Sequence, residues 1–193
     1  MKKFELTAES KINIFGKKLF RIKALISFGD VEEGETGGWI EKEENLEQSS
    51  GNAWVYGNAE VYGNAWVYGN AEVYGNARVY GNAWVSGNAE VYGNARVYGN
   101  AWVSGNARVS GNAEVSGNAD YTTIHGFGTQ FRTTTFFQCE DKQIRVSCGC
   151  FLGTIPEFRE QVKNTREGKI AEEYLMIADL MEKHFVKEKE SGE

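Results

Sequence analysis

GNAWVY GNAEVY GNAWVY GNAEVY GNARVY GNAWVS GNAEVY GNARVY GNAWVS GNARVS GNAEVS GNADYT, residues 51–122, is twelve hexapeptides laid end to end with no insertion. A fixed short period is the signature of a repeat architecture. Within a unit such as Ala53-Trp54-Val55, Ala and Val alternate with one variable residue, a period of two that predicts a strand with Ala and Val inward and the variable side chain outward. Gly-Asn then supplies the corner, because glycine accepts positive φ and asparagine is enriched in left-handed conformations. A six-residue unit cannot stand alone, so successive units must stack and pair from coil to coil.

The variable positions predict how many units make a coil. Taken every eighteenth residue they sort into Trp54-Glu72-Glu90-Arg108, Glu60-Arg78-Arg96-Glu114 and Trp66-Trp84-Trp102-Asp120. Three hexapeptides per coil thus collect the tryptophans in one column and bring Glu60 to Arg78 and Arg96 to Glu114, about 4.8 Å apart between coils. The sixth positions follow as Tyr56-Tyr74-Tyr92-Ser110, Tyr62-Tyr80-Tyr98-Ser116 and Tyr68-Ser86-Ser104-Thr122. The expectation is a mainly β, three-sided parallel β-helix of about four coils, with stacked indoles on one side.

The flanks divide the rest. Residues 1–50 read as an N-terminal β cap, with short strands at Phe4-Leu6, Ile12-Ile14 and Leu19 to Ile26, and an irregular first coil at Gly37-Gly38-Trp39-Ile40 and Asn45-Leu46. Residues 123–186 read as a C-terminal α/β element: a hairpin of Gln130–Gln138 and Gln143–Ser147, then two helices. Thr154-Ile-Pro-Glu157 carries a capping box with proline in the first turn. The second helix, about 168 to 186, lines up Ile170, Tyr174, Ile177, Ala178, Met181 and Phe185 on one face. The charged tail, 187–193, reads as disordered.

The Val-Tyr-Gly-Asn-Ala-x units resemble the left-handed parallel β-helix family of hexapeptide repeats, and are most similar to acetyltransferase-like proteins of bacteria, prophages and phages. The flanks, from Gly37-Gly-Trp-Ile-Glu-Lys-Glu-Glu-Asn-Leu46 to Ile144–Phe158 and Glu173–Met181, resemble such proteins too. The resemblance implies the left hand, a phage or prophage source and the trimeric association common among hexapeptide β-helices.

Many members of that family are acyl-CoA transferases that use a histidine base. The array holds no histidine, and His125, just past it, is the candidate nearest the coils. It reads as a turn residue, with catalysis as the competing reading. Cys148-Gly149-Cys150 with Cys139 could be set against a zinc site, but the Cys-x-Cys spacing is tighter than zinc sites use. The alternation of Val146, Cys148 and Cys150 instead predicts small buried apolar groups on one strand face. No metal or cofactor is expected.

Trp66, Trp84 and Trp102, with Ser86 and Ser104 beside them, read either as a stabilising ladder or as an interface, since a row of exposed indoles is a large apolar patch. Tyr56, Tyr74, Tyr92, Tyr62, Tyr80 and Tyr98 read as outer packing, or as an aromatic face able to stack a base or sugar. The net charge of −6 is spread evenly over 193 residues, which disfavours nucleic acid as a partner. The N-terminus lacks a long apolar signal region and no membrane span is present, so a cytoplasmic location is expected, that of the host for a phage protein.

The resulting expectation is a non-catalytic scaffold that self-associates, as a trimer, and binds a protein partner, as a host-takeover or immune-evasion inhibitor would. The alternatives are an acyl-CoA transferase with His125 as base and a sponge for nucleotides or small ligands.

Overall fold

The computed structural model describes residues 2–185. The tail expected to be disordered, 187–193, lies outside the described residues. At the N-terminus β1 (Phe4–Ile12), β2 (Lys18–Ala24) and β3 (Thr36–Ile40) form an antiparallel run. Eleven two-residue strands follow: β4 (Trp54–Val55), β5 (Glu60–Val61), β6 (Trp66–Val67), β7 (Glu72–Val73), β8 (Arg78–Val79), β9 (Trp84–Val85), β10 (Glu90–Val91), β11 (Arg96–Val97), β12 (Trp102–Val103), β13 (Arg108–Val109) and β14 (Glu114–Val115).

Each strand from β4 to β11 pairs in parallel with the one eighteen residues on, as Trp66 with Trp84 and Trp84 with Trp102. Three parallel stacks result: β4-β7-β10-β13, β6-β9-β12 and β5-β8-β11-β14, the last continued by β3, β2 and β1. The alanines and valines of the repeat fill the interior, as their alternation predicts, and form one core with Phe4, Ile22 and Ile40. The array is a parallel β-solenoid of about four turns. The irregular first coil exists too: Trp39 and Ile40 pair in parallel with Glu60 and Val61, and Leu46 bridges to Val67.

The corners divide labour between their two residues. From Gly51 to Gly111 every repeat glycine has φ between 58° and 72°, whereas none of the asparagines has positive φ. Asparagine instead builds ladders. Asn64 Nδ2 donates to Asn82 Oδ1 at 3.2 Å and Asn82 to Asn100 at 3.1 Å. The Asn70-Asn88-Asn106 and Asn76-Asn94-Asn112 ladders run the same way. Glycine is needed twice over: a Cβ on Gly87 would lie 2.9 Å from the Gly105 nitrogen in the next coil.

The twelfth hexapeptide does not make a rung. Gly117 is extended (φ −156°), and residues Asn118–Asp120 form a 3-10 turn closed by Asp120 Oδ2, which accepts from Ser116 N, Ser116 Oγ and Gly117 N at 2.8, 2.6 and 3.1 Å. With Tyr121 where the repeat has valine, the chain leaves the coil as β15 (Tyr121–Phe127). The expected hairpin is the middle of a four-stranded antiparallel sheet of β15, β16 (Arg132–Gln138), β17 (Ile144–Cys148) and β18 (Phe151–Thr154). Helices α1 (Ile155–Thr165) and α2 (Gly168–His184) follow, and the Thr154–Glu157 capping box forms as expected.

Strand β16 joins the two halves by alternation. Phe137 belongs to the solenoid core, whereas Phe136 packs with Phe158, Val162, Tyr174 and Met181 of the helices.

Both ends of the solenoid are closed by side chains that complete its broken ladders, as sheet edges require. At the N-terminal end Lys3 Nζ donates to Ala53 O (3.1 Å), Arg21 to Gly57 O (2.9 Å) and Asn45 Nδ2 to Ala65 O (2.8 Å). At the other end Asn118 Oδ1 accepts from Trp102 N (2.9 Å), Thr135 Oγ1 accepts from Arg108 N (2.9 Å), and Tyr121 donates to Trp102 O (2.6 Å).

Candidate interaction surface

The stack β6-β9-β12, like β4-β7-β10-β13, is extended by no strand of the N-terminal run and joined by no strand of the C-terminal sheet. Its outward positions are Trp66, Trp84 and Trp102, and its corners are asparagine, tyrosine, serine and glycine, so it bears no ionised side chain. Trp84 is 43% and Trp102 47% exposed, and Trp66 is half-buried.

The indoles do not stack face to face. Trp66 lies on Tyr68 of its own coil (4.1 Å, 23°), and Trp84 then meets Trp66 edge-on (6.0 Å, 87°), as Trp102 meets Trp84 (6.0 Å, 73°). Edge-to-face geometry suits the ring quadrupole and is worth about 0.5–1.5 kcal/mol per pair beyond burial. Ser86 is covered rather than open: it is 5% exposed, under Trp102, whose Nε1 donates to its Oγ at 3.0 Å. Ser104, one coil on, is half-buried.

Parallel stacking belongs to the tyrosines. Tyr62, Tyr80 and Tyr98 stack at 5.0 and 5.1 Å, and Tyr74 stacks on Tyr92 at 4.8 Å. Phe15 leans over Tyr62 and Tyr80, while Tyr56 packs against the core. Burial pushes the Tyr56 phenol up to about 12 and raises those of Tyr62 and Tyr74 as well, Tyr74 being held further by its hydrogen bond to Glu90 (2.9 Å).

Trp54 breaks the outward rule. Its indole is fully buried between Phe4 (6.1 Å) and Phe28 (5.4 Å) of the N-terminal element, contacts that repeat spacing alone does not reveal. The charged columns pair as their order predicts. Arg78 Nε lies 3.7 Å from Glu60 and Arg96 3.0 Å from Glu114, with Lys11 also on Glu60 at 2.8 Å.

His125 sits exposed on β15, with Nδ1 3.3 Å from Thr133 Oγ1, and is a strand residue rather than a turn residue. The cysteines do not share one buried face. Cys139 is buried in the solenoid core, and Cys148 accepts a hydrogen bond from Thr134 (3.2 Å). Cys150 is exposed in the turn before β18, where Gly149 takes φ +60°. No group of three or more metal-ligating side chains stands together among the described residues, and no helix there is long and apolar enough to cross a membrane.

The repeats match the family model described as YdcK Beta solenoid repeat at residues 53–69, 71–87, 89–105 and 103–117. No curated protein matches the chain. Sequence match and parallel coils together make the array a β-solenoid repeat.

Proposed function

We propose that the chain is a non-catalytic β-helical scaffold, left-handed and three-sided, that self-associates as a homotrimer through its tryptophan stack and holds a protein partner on the assembled surface. The observation that carries this reading is the exposure of Trp84 and Trp102 on the one stack free of ionised groups. A surface that meets copies of itself suffers no like-charge repulsion when it carries no charge, and exposed tryptophans are favoured anchors of such contacts. The stacks bearing Glu72, Glu90 and Arg108, or Glu60, Arg78, Arg96 and Glu114, take no part in that contact.

The terminal elements break the uniform repeat of the coils, and in this reading they supply partner specificity. The resemblance to phage and prophage proteins makes that partner a bacterial protein and the chain a host-takeover or immune-evasion factor acting in the host cytoplasm.

Light scattering tests the association. The wild-type chain should run at three times its 21.6 kDa mass. Changing Trp66, Trp84 and Trp102 together to Ser should bring it to the monomer mass with a β-type circular dichroism spectrum, and Trp102→Glu alone should do the same. A wild-type chain of monomer mass, or variants that keep the wild-type mass, would sink the reading.

A further inference from the structure

The three asparagine ladders all point one way, each Nδ2 donating to the Oδ1 of the next coil, so each ladder ends with a spare donor at its C-terminal end. Asn106 is such an end. Its Oδ1 accepts from Asn88 at 3.0 Å, while its own Nδ2 has no protein acceptor among the described residues. One coil on, the same position is Ile124, which offers no side-chain acceptor.

Asn106 lines an open groove of about 790 Å³ between the solenoid and the C-terminal sheet, together with Arg108, His125, Gln130 and Arg132. Arg132 forms no ion pair with a carboxylate among the described residues. The one carboxylate in the groove, Glu90, is already neutralised: Arg108 Nε and Nη2 reach Oε1 at 2.9 and 2.7 Å, and Tyr74 donates to Oε2 at 2.9 Å. That ion pair leaves Arg132 as an uncompensated cation in the groove that the uncommitted Asn106 amide and His125 also line.

The Asn112 ladder end is the natural contrast. It opens on a second groove lined by Glu140, Asp141 and Glu157 together with Arg145, where Arg145 pairs with Asp141 at 2.7 Å and Arg96 reaches Glu140 at 3.1 Å. Identical ladder chemistry therefore meets an arginine without a carboxylate partner at one corner and a lining with more carboxylates than cations at the other.

We infer that the groove between Asn106 and Arg132 is a binding site for the oxyanion of a small ligand, a phosphate or a carboxylate, held by the Arg132 guanidinium and the Asn106 amide. Guanidinium groups match both oxyanions with paired N–H donors, and an aligned amide adds a fixed directional donor. The volume falls within the range of small-ligand sites.

Calorimetric titration of the intact chain with inorganic pyrophosphate, and separately with malonate, tests the site and distinguishes the two anion classes. At least one probe should bind one-to-one. Arg132→Gln should weaken that binding at least tenfold. Asn106→Asp should do likewise, because it keeps the acceptor for Asn88 while replacing the donor with a like charge. Asn112→Asp, the same change at the other ladder end, should leave the affinity within twofold of wild type. Thermal unfolding of each variant checks that the coils persist. Binding by neither probe, binding unaffected by Arg132→Gln and Asn106→Asp, or equal loss in all three variants would overturn the assignment.

Discussion

Trp102 Nε1 donates to Ser86 Oγ across one coil, so a serine that is 5% exposed fixes the orientation of the most exposed indole of the array. Deleting that hydroxyl leaves the indole N–H to water and loosens the ring. Ser86→Ala should cost about 0.5–1.5 kcal/mol in urea unfolding, the net worth of one hydrogen bond. It should also shift the tryptophan emission to the red, and an unchanged spectrum would mean that packing against Trp84 alone orients the ring.

Gly87 and Gly105 share φ +69° but not their surroundings: a Cβ on Gly87 meets the Gly105 backbone, while one on Gly105 meets nothing within 4 Å. Alanine at either site should lose about 1–2 kcal/mol for the left-handed backbone. Gly87→Ala should lose measurably more, because its coil must shift to admit the methyl group. Equal losses in chemical denaturation would show that the coils part without cost.

Lys3 is 3% exposed, and burial lowers its ammonium from 10.5 to about 8 against the opposing pull of Glu47. Between those values the unfolded chain holds the proton that the folded chain has released, so this group's contribution to stability rises with pH across that window. Cys139 and the buried tyrosines act in the opposite direction, since their unfolded forms ionise first. Comparison with Lys3→Met isolates the lysine. Going from about pH 7.5 to about pH 9.5, the wild type should gain stability relative to the variant. A constant difference between the two would contradict the assignment.

The three thiols should react in order of their surroundings. Cys150, exposed in its turn, should be modified at once by an aromatic disulfide reagent. Cys148 should follow, and Cys139, pushed up to about 11 by burial, should react only on unfolding. Two fast thiols without denaturant would mean that the C-terminal sheet opens readily.

The coils were legible because each unit repeats the same decision: Ala and Val inward, glycine at the corner, and an eighteen-residue order that places Glu60 beside Arg78 and gathers Trp66, Trp84 and Trp102. What the repeat hid depends on contacts outside its period. Trp54 looks like every other variable position until Phe4 and Phe28 close over it. Asparagine's taste for left-handed backbone was a misleading cue, because glycine already takes that conformation and frees the amide for its neighbour.

The aromatic columns also traded roles. The narrow phenol rings repeat their pose every coil, whereas Tyr68 captures the Trp66 face and turns the indoles above it edge-on. At the C-terminus, the twelfth unit keeps Gly-Asn-Ala yet becomes a turn, because Asp120 binds the Ser116 and Gly117 amides and Tyr121 opens a strand of a different sheet.

Since the rungs of the array pair with one another only at a separation of eighteen residues, the length of the rod is a matter of copy number. Excising residues 63–80 would remove one full coil, shorten the rod by about 4.8 Å and return every column to its own stack. Removing a single hexapeptide would rotate the register by one stack, feeding arginine and glutamate into the tryptophan column. The rod can therefore be lengthened or shortened in whole coils while both ends stay intact, whereas any other step scrambles the surface.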